Sequence, residues 1–118
     1  MKAQGFSLSG RRALIAGGLH PWGQPVAEAL AEAGATVLLA TLPGPATREV
    51  AVRVGGMALP TRSTPALVRR TVARAAAGGR IDILVNCFDT PMASPLLDTT
   101  PAAWQRAVEV NLMPAFLW

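Results

Sequence analysis

The sequence predicts an α/β fold in which a parallel sheet of about four strands carries flanking helices. Short apolar runs of strand length alternate four times with longer segments that have helical periodicity. Half of the 118 residues (51%) are hydrophobic and only 15% are charged, which is typical of a packed globular chain rather than a disordered one. The chain shows no internal repeat and no linker. We therefore expect a single unit over residues 1–118.

The predicted strands are continuous apolar runs, as expected for strands that are covered on both faces of a parallel sheet. They are "RRALIAG" at 11–17, "TVLLAT" at 36–41, "MALP" at 57–60 and "RIDILVN" at 80–86. Because each is followed or preceded by a helical segment, right-handed crossovers connect neighbouring parallel strands.

The predicted helices cover residues 22–35, 46–56, 63–79 and 102–118. Gly34 is expected to end the first helix, and Thr64 to cap the third with Pro65 at its first position. Thr100 and Pro101 are expected to play the same parts in the fourth. The positions predicted to face inward are Val26, Leu30 and Ala33 in the first helix and Leu67, Val68, Val72 and Ala75 in the third.

The last predicted helix carries an unusual apolar stripe. Trp104, Val108 and Leu112 recur every fourth residue, and Pro114 is expected to bend the helix near Asn111. The sequence stops at "AFLW" without a cap or a further strand. We expect either a truncated sequence or a homo- or hetero-oligomer that pairs through this last helix and the open sheet edge.

Charge and cysteine content narrow the possible functions. The net charge is +4, but ten of the eleven basic residues are Arg and they are scattered, so no nucleic-acid surface is predicted. The nearest approach to a basic run is Arg69, Arg70 and Arg74, on the outward face of one helix. The single Cys87 excludes an internal disulfide and a cysteine-based metal site. With no signal peptide and no long apolar run, we expect a cytoplasmic location and no membrane segment.

One stretch, "IAGGLHPWGQP" at 15–25, places a glycine-bearing turn between the first strand and the first helix. Nucleotide phosphates bind at such a turn, because helix N-terminal amides point at them. Gly17 allows the tight turn, and Gly23 allows the helix to approach the strand. Pro21 stands where a phosphate-binding loop uses a backbone N–H, which proline lacks.

The order and spacing of "ALIAGGLHPWGQPVAEALAEAGATVLLA", "GGRIDILVN" and "DTTPAAWQRAVEVNL" resemble the short-chain dehydrogenase/reductase family. The resemblance covers nearly the whole chain and corresponds to about the first half of such an enzyme. It implies an incomplete Rossmann-like, doubly wound parallel sheet, that is, a partial NAD(P)-binding domain over residues 1–118. It also implies a reaction that interconverts an alcohol and a carbonyl with NAD(P)(H).

The family's loop, TGxxxGxG, falls on residues 16–23 of this chain. Ala16 replaces the Thr and Pro21 replaces the middle Gly. The cofactor-binding positions that the resemblance implies here are Gly17, Leu19, His20, Trp22 and Gly23. Two interpretations stay open: a loop that still binds a nicotinamide dinucleotide, and a loop that only keeps the fold.

The resemblance also implies cofactor contacts at Thr41 and Asn86. At Thr41 the family carries an Asp for the NAD ribose, and Leu42 supplies no basic residue either. His20 stands where NADP-preferring relatives carry Arg or Lys, although it also suits an exposed turn. NADP and NAD therefore both remain candidate cofactors, and the sequence slightly favours NADP.

Two further loops depart from the family. Thr61 and Arg62 replace an acid near the adenine. The family's NNAG reads Asn86, Cys87, Phe88 and Asp89 here, so that only the first Asn matches. We interpret Cys87 as a buried small side chain rather than a nucleophile, because no neighbouring His or second Cys is available to activate it.

Asn111 in "VEVNL" matches the Asn of the family's Asn, Ser, Tyr, Lys tetrad. The resemblance implies a catalytic role in which its backbone carbonyl holds a water of the proton relay; a polar residue at a helix bend is the alternative. The sequence contains no Tyr, so the family's proton donor is absent from it. Two hypotheses follow: the amino-terminal portion of an NAD(P)-dependent oxidoreductase, or a non-catalytic pseudoenzyme subunit that supports an active relative.

Overall fold

The computed structural model describes residues 6–17 and 21–118 and contains one parallel sheet. Its strands lie in the order β3-β2-β1-β4, so that β1 lies between β2 and β4. The strands are β1 (Arg12–Ala16), β2 (Thr36–Thr41), β3 (Met57–Pro60) and β4 (Ile83–Asn86). This order is the first half of a doubly wound sheet, and it confirms the predicted fold class.

Helices fill the segments between and after the strands. They are α1 (Gly23–Glu32), α2 (Pro45–Arg53), α3 (Pro65–Ala77), α4 (Pro101–Ala107) and α5 (Met113–Leu117). A 3₁₀ turn, Leu96–Asp98, was not predicted, and a π turn, Val108–Leu112, joins α4 to α5. Within the stretches that the structure covers, no helix is both long enough and apolar enough to cross a membrane.

The core forms two layers, one on each face of the sheet. Ile15, Val37 and Leu39 pack with residues of α1 and α2. Their neighbours Leu14 and Leu38 pack on the other face with α3. Successive side chains of a strand point to opposite faces, so the unbroken apolar runs of β1 and β2 supply both layers at once.

Two details of the helices differ from expectation. Thr64 precedes α3, but its side chain accepts no capping hydrogen bond; the Thr64 carbonyl instead accepts from the Val68 N–H at 2.8 Å. Pro65 occupies the first helical position, as predicted. In α1 the fully buried residues are Gly23 and Ala27, because small residues let the helix lie close to the sheet. The predicted Val26 and Leu30 are only partly buried, at the edge of that contact.

β4 lies at the edge of the sheet, and β1 is its only strand neighbour among the described residues. Leu84 is 44% exposed, and Ile83 and Val85 are only partly buried. Trp104 and Leu112 are 66% and 64% exposed. The open sheet edge and the last helical segments therefore carry apolar side chains that this chain does not cover.

The helical hydrogen-bonding pattern changes where Pro114 was expected to bend the chain. Proline has no N–H to donate to the carbonyl four residues earlier, so the regular α-helical bonding cannot continue through this turn. The structure responds with the π turn Val108–Leu112, which contains Asn111. The predicted single helix over 102–118 is thus divided into α4, the π turn and α5.

Candidate cofactor site at the carboxyl edge of the sheet

A cavity of about 300 Å³ opens at the carboxyl ends of the strands. Its walls come from the segments that follow all four strands and from the end of α5. They include Gly17 after β1, Thr41 and Leu42 in and after β2, Thr61–Ser63 after β3, Cys87–Thr90 after β4, and Trp118. In open α/β sheets, ligands bind in the crevice at this edge, where the strand order reverses. Here that reversal lies between β1 and β4.

Gly17 fixes the shape of the cavity beside β1. Its φ of +79° is the left-handed conformation that side chains disfavour, and its N–H donates to the Ala40 carbonyl at 2.8 Å. A Cβ built on Gly17 would lie 3.0 Å from the Cys87 carbonyl oxygen and 3.2 Å from Cδ1 of Phe88. Only glycine therefore lets the β1 turn lie this close to the segment after β4.

The start of α1 faces the same turn. Trp22 is the N-terminal flanking residue and is 67% exposed, while Gly23 is the buried first residue of the helix. Leu19 and His20, the other two positions that the resemblance implied in this loop, lie outside the described residues.

The start of α1 offers fewer free N–H groups than a helix start without proline. In α1 the first helical N–H groups belong to Gly23 and Gln24, and the third position is Pro25, which has no N–H. The sequence analysis did not single out Pro25, although it repeats the deficit of Pro21. Two prolines near one helix start weaken its capacity to bind an anion.

Thr41 and Thr61 join the ends of β2 and β3. The Thr61 N–H donates to the Thr41 carbonyl at 2.7 Å. Both residues are buried, and the Thr71 hydroxyl of α3 donates to the Thr61 hydroxyl at 2.9 Å. Of the two residues expected to replace the family's acid near the adenine, Thr61 thus has a side chain that already bonds to α3.

The segment after β4 continues the ladder past the strand end. Asn86 pairs in register with Ala16, and the Cys87 N–H donates to the Ala16 carbonyl at 2.8 Å. Burial raises the pKa of the Cys87 thiol, which keeps it protonated and unreactive near neutral pH. Phe88 is half-buried and lies against Gly17.

Asn111 connects this segment to the last helical unit. Its Oδ1 accepts from the Thr90 N–H at 2.6 Å, and its Nδ2 donates to the Thr90 carbonyl at 3.1 Å. Nδ2 also donates to the Ala107 carbonyl at 3.1 Å, at the start of the π turn. The side chain therefore holds the loop after β4 against the π turn.

Trp118 was not predicted to be part of a site. Its indole Nε1–H donates to the Ser63 hydroxyl at 2.9 Å, and its ring packs beside the core layer under α3. This contact closes the cavity between the loop after β3 and the end of α5. Sequence position alone gave no signal for it, because 55 residues separate the two partners.

Comparison with known proteins agrees with this geometry. The family model described as Enoyl-(Acyl carrier protein) reductase matches residues 21–118. The chain belongs to the short-chain dehydrogenase/reductase family. The Rossmann-like topology and the glycine-bearing turn described above are those that the family resemblance implied.

Among curated proteins, this short-chain dehydrogenase/reductase chain is similar to the rhamnolipids biosynthesis 3-oxoacyl-[acyl-carrier-protein] reductase of Pseudomonas aeruginosa. The two are 32% identical over 117 residues, which are 94% of this chain and 46% of that protein. The chain therefore spans about half the length of the curated relatives it matches.

Two solved structures of relatives contain a nicotinamide dinucleotide. The Pseudomonas aeruginosa RhlG/NADP active-site complex has a TM-score of 0.81 at 32% identity, with 95% of this chain and 46% of that one covered. The 3-ketoacyl-(acyl-carrier-protein) reductase from Brucella melitensis complexed with NADH has a TM-score of 0.82 at 28% identity, with 94% and 48% covered. Relatives of this short-chain dehydrogenase/reductase thus occur with either form of the cofactor.

Proposed function

We propose that this chain forms the dinucleotide-binding half of an NAD(P)(H)-dependent short-chain dehydrogenase/reductase that interconverts an alcohol and a carbonyl. The observation that carries the proposal is the cavity at the carboxyl edge, where the β1 turn and the segment after β4 meet at the reversal of strand order. A cavity of about 300 Å³ is at the lower end of ligand-binding sizes and suits part of a dinucleotide.

The residues present fit such a cofactor at specific points. Gly17 presents backbone without a side chain, so an extended phosphate group can approach the turn. Thr41 and the loop after β3 line the side of the cavity away from β4, which is suited to the adenosine portion. The bound cofactor would supply the hydride of the reaction. We propose NADP(H) as the preferred form, because no acid stands at the end of β2 to accept from a free ribose hydroxyl.

In the proposed reaction, this chain contributes to proton transfer by positioning a loop, not by donating the proton. Asn111 anchors the Thr90 backbone through two hydrogen bonds and sits within the π turn, so it fixes the loop that borders the cavity. The sequence has no Tyr. The proton donor of the proposed reaction must accordingly come from residues outside this sequence.

A non-catalytic subunit is the second candidate, and a specific observation favours it. The Phe88 ring lies against Gly17, at the point where a cofactor would cross the gap between β1 and β4. The N–H groups missing at Pro21 and Pro25 act in the same direction. In this case the chain keeps the fold and pairs with another protein through its exposed apolar surface, which includes Trp104, Leu112 and Phe116.

Titration of the 118-residue chain with NADPH and NADH, followed by isothermal calorimetry, separates the two candidates. The dinucleotide proposal predicts saturable binding with a stoichiometry near one. Pro21→Gly is expected to strengthen binding roughly tenfold, because it restores a backbone donor to a charged phosphate. Phe88→Ala removes the ring that lies against Gly17; Phe116→Ala, which changes an exposed ring on α5, is its matched control and should leave binding unchanged.

Absence of binding by the wild type, by Pro21→Gly and by Phe88→Ala would overturn the dinucleotide proposal. The subunit candidate would then be tested by light scattering of the purified chain. It predicts an oligomer that Trp104→Glu and Leu112→Glu reduce to a monomer, because both side chains are exposed and apolar.

A further inference from the structure

The edge of the cavity between β2 and β3 brings one arginine close to the end of β2. Thr41 pairs in register with Pro60, and the Thr61 N–H extends the ladder by bonding to the Thr41 carbonyl at 2.7 Å. Arg62 follows immediately and lines the cavity together with Thr41 and Leu42. Its backbone is thus held beside the strand end at which the ribose of a dinucleotide lies in this type of sheet.

The polar and charged side chains that line this edge of the cavity determine which ligand group it suits. The Leu42 side chain has no polar group, and the Thr61 hydroxyl accepts from the Thr71 hydroxyl of α3. Of the described residues that line the cavity, Arg62 is the one cation and Asp89 the one anion. Asp89 follows β4, which lies on the far side of β1 and β2 from β3. The β3 side of the cavity is therefore positively charged.

Arg62 also differs from the arginines that stabilise the fold. Arg11 and Arg80 form salt bridges with Asp82, and Arg53 forms them with glutamates of α1 and α2. Arg62 has no carboxylate within salt-bridge distance in residues 6–17 and 21–118. A guanidinium with all its donors available suits bidentate binding of a phosphate, and not of a neutral ribose hydroxyl.

We propose that Arg62 binds the 2′-phosphate of the cofactor and thereby makes the chain select NADP(H) over NAD(H). The assignment rests on the proposed dinucleotide site. It places the phosphate-selective charge on the loop after β3, whereas the loop after β2 supplies only Thr41 and Leu42. A 2′-phosphate carries about two negative charges near neutral pH. Arg62 should therefore contribute much less to the binding of NAD(H), which lacks this phosphate, than to the binding of NADP(H).

The test compares Arg62→Gln with Arg74→Gln, which removes the same charge from an exposed position in the last turn of α3. Each variant of the 118-residue chain is titrated with NADPH, with NADH and with the fragments adenosine 2′,5′-bisphosphate and adenosine 5′-monophosphate. Arg62→Gln is expected to weaken NADPH and bisphosphate binding roughly tenfold and to change NADH and monophosphate binding less than about twofold. Arg74→Gln should change none of them.

Three results would overturn the assignment, and they are distinguishable. Equal losses for NADPH and NADH in Arg62→Gln would give the residue a general role in the site. A NADPH preference that survives Arg62→Gln but disappears in His20→Gln would move the phosphate contact to the β1 loop. No binding of any of the four ligands by the wild type would remove the dinucleotide site itself, and the assignment with it.

Discussion

Replacing Gly17 with Ala tests whether the close approach of the β1 turn to the β4 side is a steric requirement of the fold. Gly17 has a φ of +79°, and a side chain in that conformation costs about 1–2 kcal/mol. The new Cβ would also meet the Cys87 carbonyl oxygen at 3.0 Å and its carbon at 3.1 Å. Both atoms belong to the backbone and cannot rotate away, so overpacking adds about 1–3 kcal/mol.

Gly10 provides a matched control. Its φ of +77° is almost the same, but no atom lies within 4 Å of a Cβ built there. Gly10→Ala should therefore cost only the conformational part, about 1–2 kcal/mol. Urea unfolding of the wild type and the two variants gives the difference directly, and we expect Gly17→Ala to be less stable than Gly10→Ala by about 1–3 kcal/mol. Equal destabilisation would refute the steric argument.

Three further predictions concern residues around the sheet. A backbone hydrogen bond from the Arg12 N–H, followed by a bond from the Arg80 side chain, lowers the pKa of Asp82 from 3.8 to about 2. Asp82 therefore stabilises the folded state fully above pH 3.8, and that contribution is lost as the pH falls through about 2. In Asp82→Asn, stability measured by thermal unfolding should depend less on pH in this range. The Arg12 Nη2 donates at 2.7 Å to a carbonyl in the last turns of α3. Arg12→Met should therefore lower the free energy of unfolding in denaturant by about 2 kcal/mol. Arg11→Met, at a site that is 54% exposed, should lower it by under about 1 kcal/mol. Equal effects of the two substitutions would contradict this difference. Asn111→Ala should accelerate amide hydrogen exchange at Thr90, because the Asn111 Oδ1 accepts from that N–H at 2.6 Å; unchanged exchange would show that the loop holds its position without Asn111.

The sheet could be predicted because continuous apolar runs are typical of strands that are buried on both faces. β1 and β2 are unbroken apolar runs bounded by turns, and the structure places both within the predicted limits. β4 was predicted over 80–86 but begins at Ile83. The preceding Asp82 side chain instead accepts from the Arg12 N–H at 3.0 Å, a contact between residues 70 positions apart that no local pattern reveals.

The candidate site was predictable only where backbone conformation restricts the residue type. Gly17 was identified because a turn between a buried strand and a helix requires a left-handed residue. Trp118 and Thr71 were missed because their partners, Ser63 and Thr61, are brought near them by tertiary packing. The π turn around Asn111 lies between these cases, because Pro114 predicted a bend but not its hydrogen-bonding pattern.

The central claim is that the carboxyl edge of this sheet binds a nicotinamide dinucleotide. Amide hydrogen exchange of the 118-residue chain with and without saturating NADPH tests it most directly, because it locates the contact along the backbone. We expect increased protection at Gly17, Thr41, Arg62 and the segment 87–90. Protection confined to α4 and α5, or no change anywhere, would contradict it.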